Sequence, residues 1–348
     1  MAELAYQKLM LKGLMSLPTA LLRGLSGGGA VYEGGRTLDP RLQFLANAAK
    51  RNPAMTAFPP EVARAGAAAA FVSVAGAPEP GVTWEAMSVE GPGGAIPCRA
   101  YRSDNQDPTA PVMVFAHMGG GVIGDLETCH TFCTILVRIA RCAVLSVDYR
   151  LAPEHRFPAG LDDVLAAYRW ARDNASILGA PAGHVAIGGD SMGGNFTAIV
   201  CQEMKRLGEP QPVLQMLVYP AVDVASETQS MSTYADAYPL SRATMEWFMG
   251  HYLAPGDDPA DVRLSPIRQK DLSGLAPAVI VTAGFDPLVD QGEAYAKRLR
   301  DAGVPVSFRC YDSLAHAFVA FTGVVPCADV ASREIAGLVR EGFQGRIK

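Results

Sequence analysis

The sequence predicts an α/β fold: a mostly parallel central sheet flanked by helices on both faces. Two observations carry this expectation. Short apolar runs recur at Val112–Ala116, Ala143–Val147, His184–Ile187, Val213–Val218 and Ala278–Thr282. Strands that are apolar at every position are buried on both faces, as in parallel sheets. Helical patterns lie between these runs, and strand–helix alternation implies crossover connections between parallel neighbours.

The elements follow in chain order. The first 50 residues read as helices broken by turns, notably Ser26-Gly-Gly-Gly. Val82–Val89 and Ile96–Tyr101 alternate loosely, as strands near a sheet edge do. Leu161, Val164, Leu165 and Tyr168 form the apolar stripe of a helix. Leu288, Tyr295 and Leu299 mark a second stripe, and Ile335, Leu338 and Val339 a third. Val306-Ser-Phe-Arg-Cys reads as a further strand. Ala221–Pro266 interrupts the alternation. It has no strand-like run and concentrates Tyr234, Tyr238, Met245, Trp247, Phe248, Met249 and Tyr252. Loops at the carboxyl ends of α/β strands surround ligands, so this insert is expected to fold as a helical cap. The predicted organisation is therefore residues 1–50 as N-terminal helices contributing to the cap, residues 51–220 and 267–348 as the catalytic domain, and residues 221–266 as the cap insert.

Composition narrows the function. Of 348 residues, 49% are hydrophobic and 19% charged, the latter below the roughly 25% usual for soluble domains. That balance favours a large core over disorder. The formal charge of −5, from 30 basic and 35 acidic side chains, offers no excess to neutralise phosphates, so no nucleic-acid partner is expected. The longest stretch free of Asp, Glu, Lys and Arg, residues 108–124, ends in glycines. It falls short of the roughly 20 apolar residues of a spanning helix, so no stable membrane insertion is expected. Pro18 and Arg23 interrupt the apolar Gly13–Leu25 segment and spoil it as a signal peptide. Seven scattered cysteines, an odd number, read as reduced thiols of a cytoplasmic protein. Cys129 and Cys133 lack the further ligands a metal site needs, and no metal or cofactor is expected.

The chemistry concentrates in Gly189-Asp190-Ser191-Met192-Gly193, which follows a strand and precedes a helical pattern from Asn195 to Leu207. Gly-x-Ser-x-Gly in that context is a nucleophile elbow, with the serine hydroxyl exposed at a tight turn. The alternative is a glycine-rich helix start capped by Ser191. A serine nucleophile needs a base, and the base needs an acid to orient it. His316 is the one histidine both downstream of Ser191 and outside the insert. Asp286, just past the strand Ala278–Thr282, suits the acid, with Asp290 the alternative. His117-Met118-Gly119-Gly120-Gly121 ends another strand, and its backbone N–H groups could form an oxyanion hole with that of Met192. The glycines lack the Lys-Ser/Thr and the spacing of phosphate-binding loops.

With these pieces in order, the chain resembles the bacterial hormone-sensitive-lipase-like carboxylesterases of the α/β-hydrolase fold. The matching residues are His117 and its glycines with Val122-Ile-Gly-Asp-Leu-Glu, Val147-Asp-Tyr-Arg-Leu-Ala-Pro-Glu-His, Gly189-Asp-Ser-Met-Gly-Gly, Ala283-Gly-Phe-Asp-Pro-Leu and His316-Ala-Phe. They span about residues 85–345. The resemblance implies Ser191 as nucleophile, His316 as base, Asp286 as acid, and Gly119, Gly120 and Met192 as oxyanion donors. It makes His117 and the Asp148–Glu154 stretch structural. Two departures stand out. Met118 takes the place of a glycine and Gly121 that of an aromatic residue, and Met192 replaces an alanine. Met118 and Gly121 are therefore expected to reshape the substrate pocket, and Met118 to be strained if its φ must be positive.

The expected activity is hydrolysis of short- to medium-chain carboxylic esters through an acyl-enzyme. Alternatives are amide or N-acetyl hydrolysis or lipase action with the same triad, or a non-catalytic ligand receptor on this fold. The expected partner is a small-molecule ester, and a homodimer stays open.

Overall fold

The computed structural model describes residues 2–347. Its helices are α1 (Ala2–Met15), α2 (Thr19–Leu25), α3 (Pro40–Ala49), α4 (Pro60–Val74), α5 (His130–Ala140), α6 (Ala159–Asp173), α7 (Met192–Leu207), α8 (Gln229–Thr233), α9 (Arg242–Tyr252), α10 (Val289–Asp301) and α11 (Pro326–Phe343). Its strands are β1 (Tyr32–Glu33), β2 (Arg36–Thr37), β3 (Val82–Gly91), β4 (Gly94–Ser103), β5 (Val112–Ala116), β6 (Ala143–Val147), β7 (Val185–Asp190), β8 (Gln215–Val218), β9 (Ala278–Phe285) and β10 (Val306–Ala315). Eight strands form one sheet in the order β10-β9-β8-β7-β5-β6-β4-β3. Within this sheet the β3–β4 and β4–β6 pairings are antiparallel and the others parallel.

The five apolar runs seen in the sequence become β5 to β9, and every residue in these strands is buried. Successive side chains point to opposite faces. Val112, Val114 and Ala116 share a core with Leu161 of α6, Phe196 of α7 and Tyr295 of α10. Met113 and Phe115 share the other with Phe132 of α5 and Ile335 of α11. Both faces of the sheet are therefore covered, which accounts for the high apolar fraction.

Some elements extend past their sequence signals. Strand β7 continues through Gly188, Gly189 and Asp190. Glycines weaken a strand signal, but a Cβ on Gly188 would lie 2.8 Å from Met216 Cε and 3.0 Å from Met113 Sδ. Helix α7 starts at Met192, so Gly193 and Gly194 fill its first turn. Strand β10 runs to Ala315 and delivers His316. Residues 32–37, within the first 50 residues expected as helices broken by turns, pair instead as a hairpin. The Arg36 Nε donates to Asp312 Oδ1 at 3.0 Å and the Asp39 N–H to Ser313 O at 2.9 Å, covering the end of edge strand β10.

The 221–266 insert folds as α8, α9 and loops over the carboxyl ends of the strands. Opposite it, α1 packs on α4. Met55, Ala67 and Phe71 help enclose the cavity beneath, so the roof draws on residues beyond position 50. No helix among the described residues is long and apolar enough to cross a membrane.

Candidate active site

Ser191 stands between β7 and α7 with φ +55° and ψ −113°. A non-glycine residue there costs about 1–3 kcal/mol, and the tightness of the turn enforces it. A Cβ on Gly193 would overlap the Ala116 carbonyl, and one on Gly189 would overlap the Gly193 backbone. The two glycines let the elbow close, and the turn aims the Ser191 hydroxyl away from the sheet.

The structure brings the three candidate residues together from distant parts of the chain. Ser191 Oγ lies 2.8 Å from His316 Nε2, and His316 Nδ1 lies 2.7 Å from Asp286 Oδ2. With the ring proton on Nδ1, the imidazole donates to Asp286 and accepts from the serine hydroxyl. Asp286 is fully buried, and its Oδ1 accepts the Leu288 N–H at 2.9 Å. Asp290 is elsewhere: its Oδ2 accepts the Ser230 N–H at 2.8 Å and ties α8 to α10. It is a structural anchor and does not hydrogen-bond to His316.

The glycine loop turns sharply, with φ +125° at Gly119, +62° at Gly120 and +72° at Gly121. Its internal bonds run from the Val122 and Ile123 N–H groups to Gly119 O, both at 3.0 Å. Gly119, Gly120 and Met192 all line the cavity beside Ser191 and His316. The loop is held from beneath and from the side. The His117 Nδ1–H donates to Met118 O at 2.7 Å, its ring stacks on Tyr149 at 4.3 Å, and the Tyr149 hydroxyl donates to His117 O at 2.8 Å. Burial pushes the His117 imidazole down to about 4, which keeps it neutral at neutral pH. From α4, the Arg64 Nε donates to Val122 O at 2.7 Å while its Nη2 reaches Ala152 O and Glu154. The Ala152 N–H donates to Gly121 O at 2.8 Å. Arg64 left no trace in the sequence, because its partners lie 58 to 90 positions away.

The two pocket candidates part company. Met118 is buried, lines the cavity and is not among the residues with positive φ, so it carries no backbone strain. Gly121 does not line the cavity. The Tyr252 ring of α9 occupies the space beside it, 2.6 Å from where a Cβ would sit. Phe248 fills the corresponding space at Gly120. The expectation of a pocket enlarged at 121 is therefore corrected: an aromatic ring from α9 fills that volume. Gly121→Phe combines positive φ with this overlap. It is expected to lower unfolding free energy by about 3 kcal/mol or more in urea titrations.

The cavity measures about 340 Å³. Met55, Met118, Met192, Met231, Met245 and Met249 line it with Leu240, Phe248 and Leu288, while Asp223, Glu227, Arg242 and Glu246 bring charge to its wall. Arg242 and Glu227 pair with each other there. Cys129 and Cys133 are buried thiols on α5 and its cap.

A model of the alpha/beta hydrolase fold matches residues 113–320. The chain is 43% identical to the carboxylic ester hydrolase LipN of Mycobacterium tuberculosis over 316 residues, covering 88% of this chain and 84% of that protein. It is 37% identical to an ethyl acetate hydrolase of Pseudomonas putida over 240 residues, covering 68% of this chain and 76% of the relative. Among solved structures it is similar to the ester hydrolase EH1AB1 from the metagenome of Lake Arreo, in complex with a derivative of bipyridine phosphonate. That match has 39% identity and a TM-score of 0.85, and covers 88% of this chain and 99% of the other.

Proposed function

The chain belongs to the hormone-sensitive-lipase-like carboxylesterases of the alpha/beta hydrolase fold family, and from that premise we propose that its reaction runs through Ser191, His316 and Asp286. The observation that carries this reading is the continuous hydrogen-bonded chain from Ser191 Oγ through the imidazole to Asp286. Ser191 attacks the ester carbonyl as His316 Nε2 takes its proton. Asp286 holds the ring in the tautomer that leaves Nε2 free and stabilises the imidazolium. The tetrahedral oxyanion is met by the N–H groups of Gly119, Gly120 and Met192, each worth about 3–4 kcal/mol in comparable sites. His316 then protonates the leaving alcohol, and water activated by the same imidazole releases the acid.

The substrates we assign are short- to medium-chain carboxylic esters, with tolerance for bulky apolar groups. A cavity of about 340 Å³ sits at the small end of ligand pockets. Its six methionines are flexible side chains that repack around differently shaped guests. The names of the relatives agree, one an ethyl acetate hydrolase, another a structure holding a ring-bearing phosphonate. We read the roof as a cap formed by the N-terminal helices and the 221–266 insert. We assign the protein to the cytoplasm, since its seven cysteines are free thiols.

A panel of p-nitrophenyl esters from acetate to palmitate, run beside a matched anilide, tests the reading. Rates are expected to peak among the short and medium chains and to fall on palmitate, with the anilide slower by about 100-fold or more. A faster anilide would move the assignment to amide hydrolysis. A peak at palmitate that rises above the critical micelle concentration would move it to lipase action.

A further inference from the structure

A second buried carboxylate lies behind the histidine. Asp190, one residue before the nucleophile, is fully buried. Its Oδ2 accepts the Tyr219 hydroxyl at 2.9 Å, and the Cys129 thiol lies 3.5 and 3.6 Å from its two oxygens. The Met118 backbone N–H also stabilises its charge. One side chain thus joins the nucleophile elbow to the cap of α5 and to the residue after β8.

Tyr219 is the unusual partner. It follows β8 with φ +36°, a left-handed conformation that a bulky residue adopts only when its surroundings force it. Its N–H donates to Val281 O at 2.7 Å. The ring is buried, tilted 53° against the His316 imidazole at 4.7 Å, with Phe318 edge-on at 5.2 Å. Tyr219 does not line the substrate cavity. A strained tyrosine wedged between a buried carboxylate and the base has a role to play through the base.

We propose that Asp190 and Tyr219 form a positioning unit for His316: Tyr219, oriented by Asp190, is the wall that fixes the imidazole plane, and the Asp190 carboxylate adds a second negative charge that favours the imidazolium formed during attack. The proposal rests on the triad reading above. Burial raises the Asp190 carboxyl to about 6, while Tyr219, Cys129, His316 and the Met118 N–H each pull it back down. It is therefore mostly ionised at neutral pH and loses its charge as pH falls through 6. The other titratable groups near it, Cys133 and Tyr149, are held neutral because burial pushes both upward. A negative charge beside the base stabilises the imidazolium as the serine proton arrives, so removing it slows the attack.

The test uses Asp190→Asn and Tyr219→Phe with p-nitrophenyl butyrate, normalised to active sites counted by a fluorophosphonate titrant. For D190N, kcat per site is expected to fall about 10-fold with KM within about twofold. Y219F keeps the ring and loses only the hydroxyl, so its kcat is expected to fall about threefold or more at unchanged KM. A purely structural role would change the number of titrated sites and leave kcat per site alone. That outcome, or wild-type kcat per site in both variants, overturns the proposal. If D190N fails to accumulate, Y219F decides through kcat per site. Absence of titratable serine in the wild-type protein would instead sink the triad reading.

Discussion

Replacing Ser191 with alanine is expected to reduce kcat on p-nitrophenyl butyrate by about 10⁵-fold or more, to near the uncatalysed rate. The change deletes one oxygen. His316 and Asp286 remain hydrogen-bonded to each other at 2.7 Å, and the glycine loop is anchored by His117, Tyr149 and Arg64, none of which touches Ser191. The elbow keeps its φ of +55° because Gly193 and Gly189 dictate it. Stability is therefore expected to stay within about 1 kcal/mol of wild type, and mass spectrometry should detect no acyl-enzyme. A variant retaining more than about 1% of the wild-type rate after purification from contaminating esterases would discard the whole mechanism.

Asp286→Asn is expected to cost about 10⁴-fold in kcat, although it exchanges one atom. The native carboxylate accepts two hydrogen bonds, from the Leu288 N–H on Oδ1 and from His316 Nδ1–H on Oδ2. An asparagine has one oxygen and one NH2. If the oxygen faces Leu288, the NH2 faces Nδ1 and drives the ring proton to Nε2, where it blocks proton transfer from the serine. If the oxygen faces His316, two N–H groups confront each other in a site with no water access, at a cost of about 1–3 kcal/mol. Neither orientation restores the carboxylate charge that stabilises the imidazolium. Rates of p-nitrophenyl butyrate hydrolysis, with circular dichroism as a fold control, measure the loss. A drop smaller than about tenfold would place the orienting acid elsewhere.

The triad we propose was legible in the sequence because each member sits at a strand end marked by glycines or an apolar run: Ser191 after Val185–Asp190, Asp286 after Ala278–Phe285, His316 after Val306–Ala315. Its place outside the insert then separated His316 from His251, and strand-end position separated Asp286 from Asp290. The sheet was legible for the same reason, since strands buried on both faces leave unbroken apolar runs. Tyr219, Arg64 and Tyr252 were not. Their roles are made by contacts such as Tyr219 to His316 and Arg64 to Val122, across separations that leave no local period. Gly121 was misread for a related reason. A glycine in a motif reports that bulk is absent from that residue, and says nothing about which distant ring fills the gap. Cys129 and Cys133, read as inert thiols, are indeed free and buried, but Cys129 also faces the Asp190 carboxylate.

The contact of α9 with the glycine loop has a consequence for how this enzyme can be remodelled. Phe248 and Tyr252 occupy the side-chain space of Gly120 and Gly121, so the roof and the glycine loop are cut as lock and ward. A roof transplanted from a relative with an aromatic residue in the loop would leave a hole here, and this roof on that loop would collide. Recombination boundaries therefore belong where α9 and residues 118–124 travel as one inherited block, and diversity is best sought at Met55 and Met231, which line the cavity from outside that block.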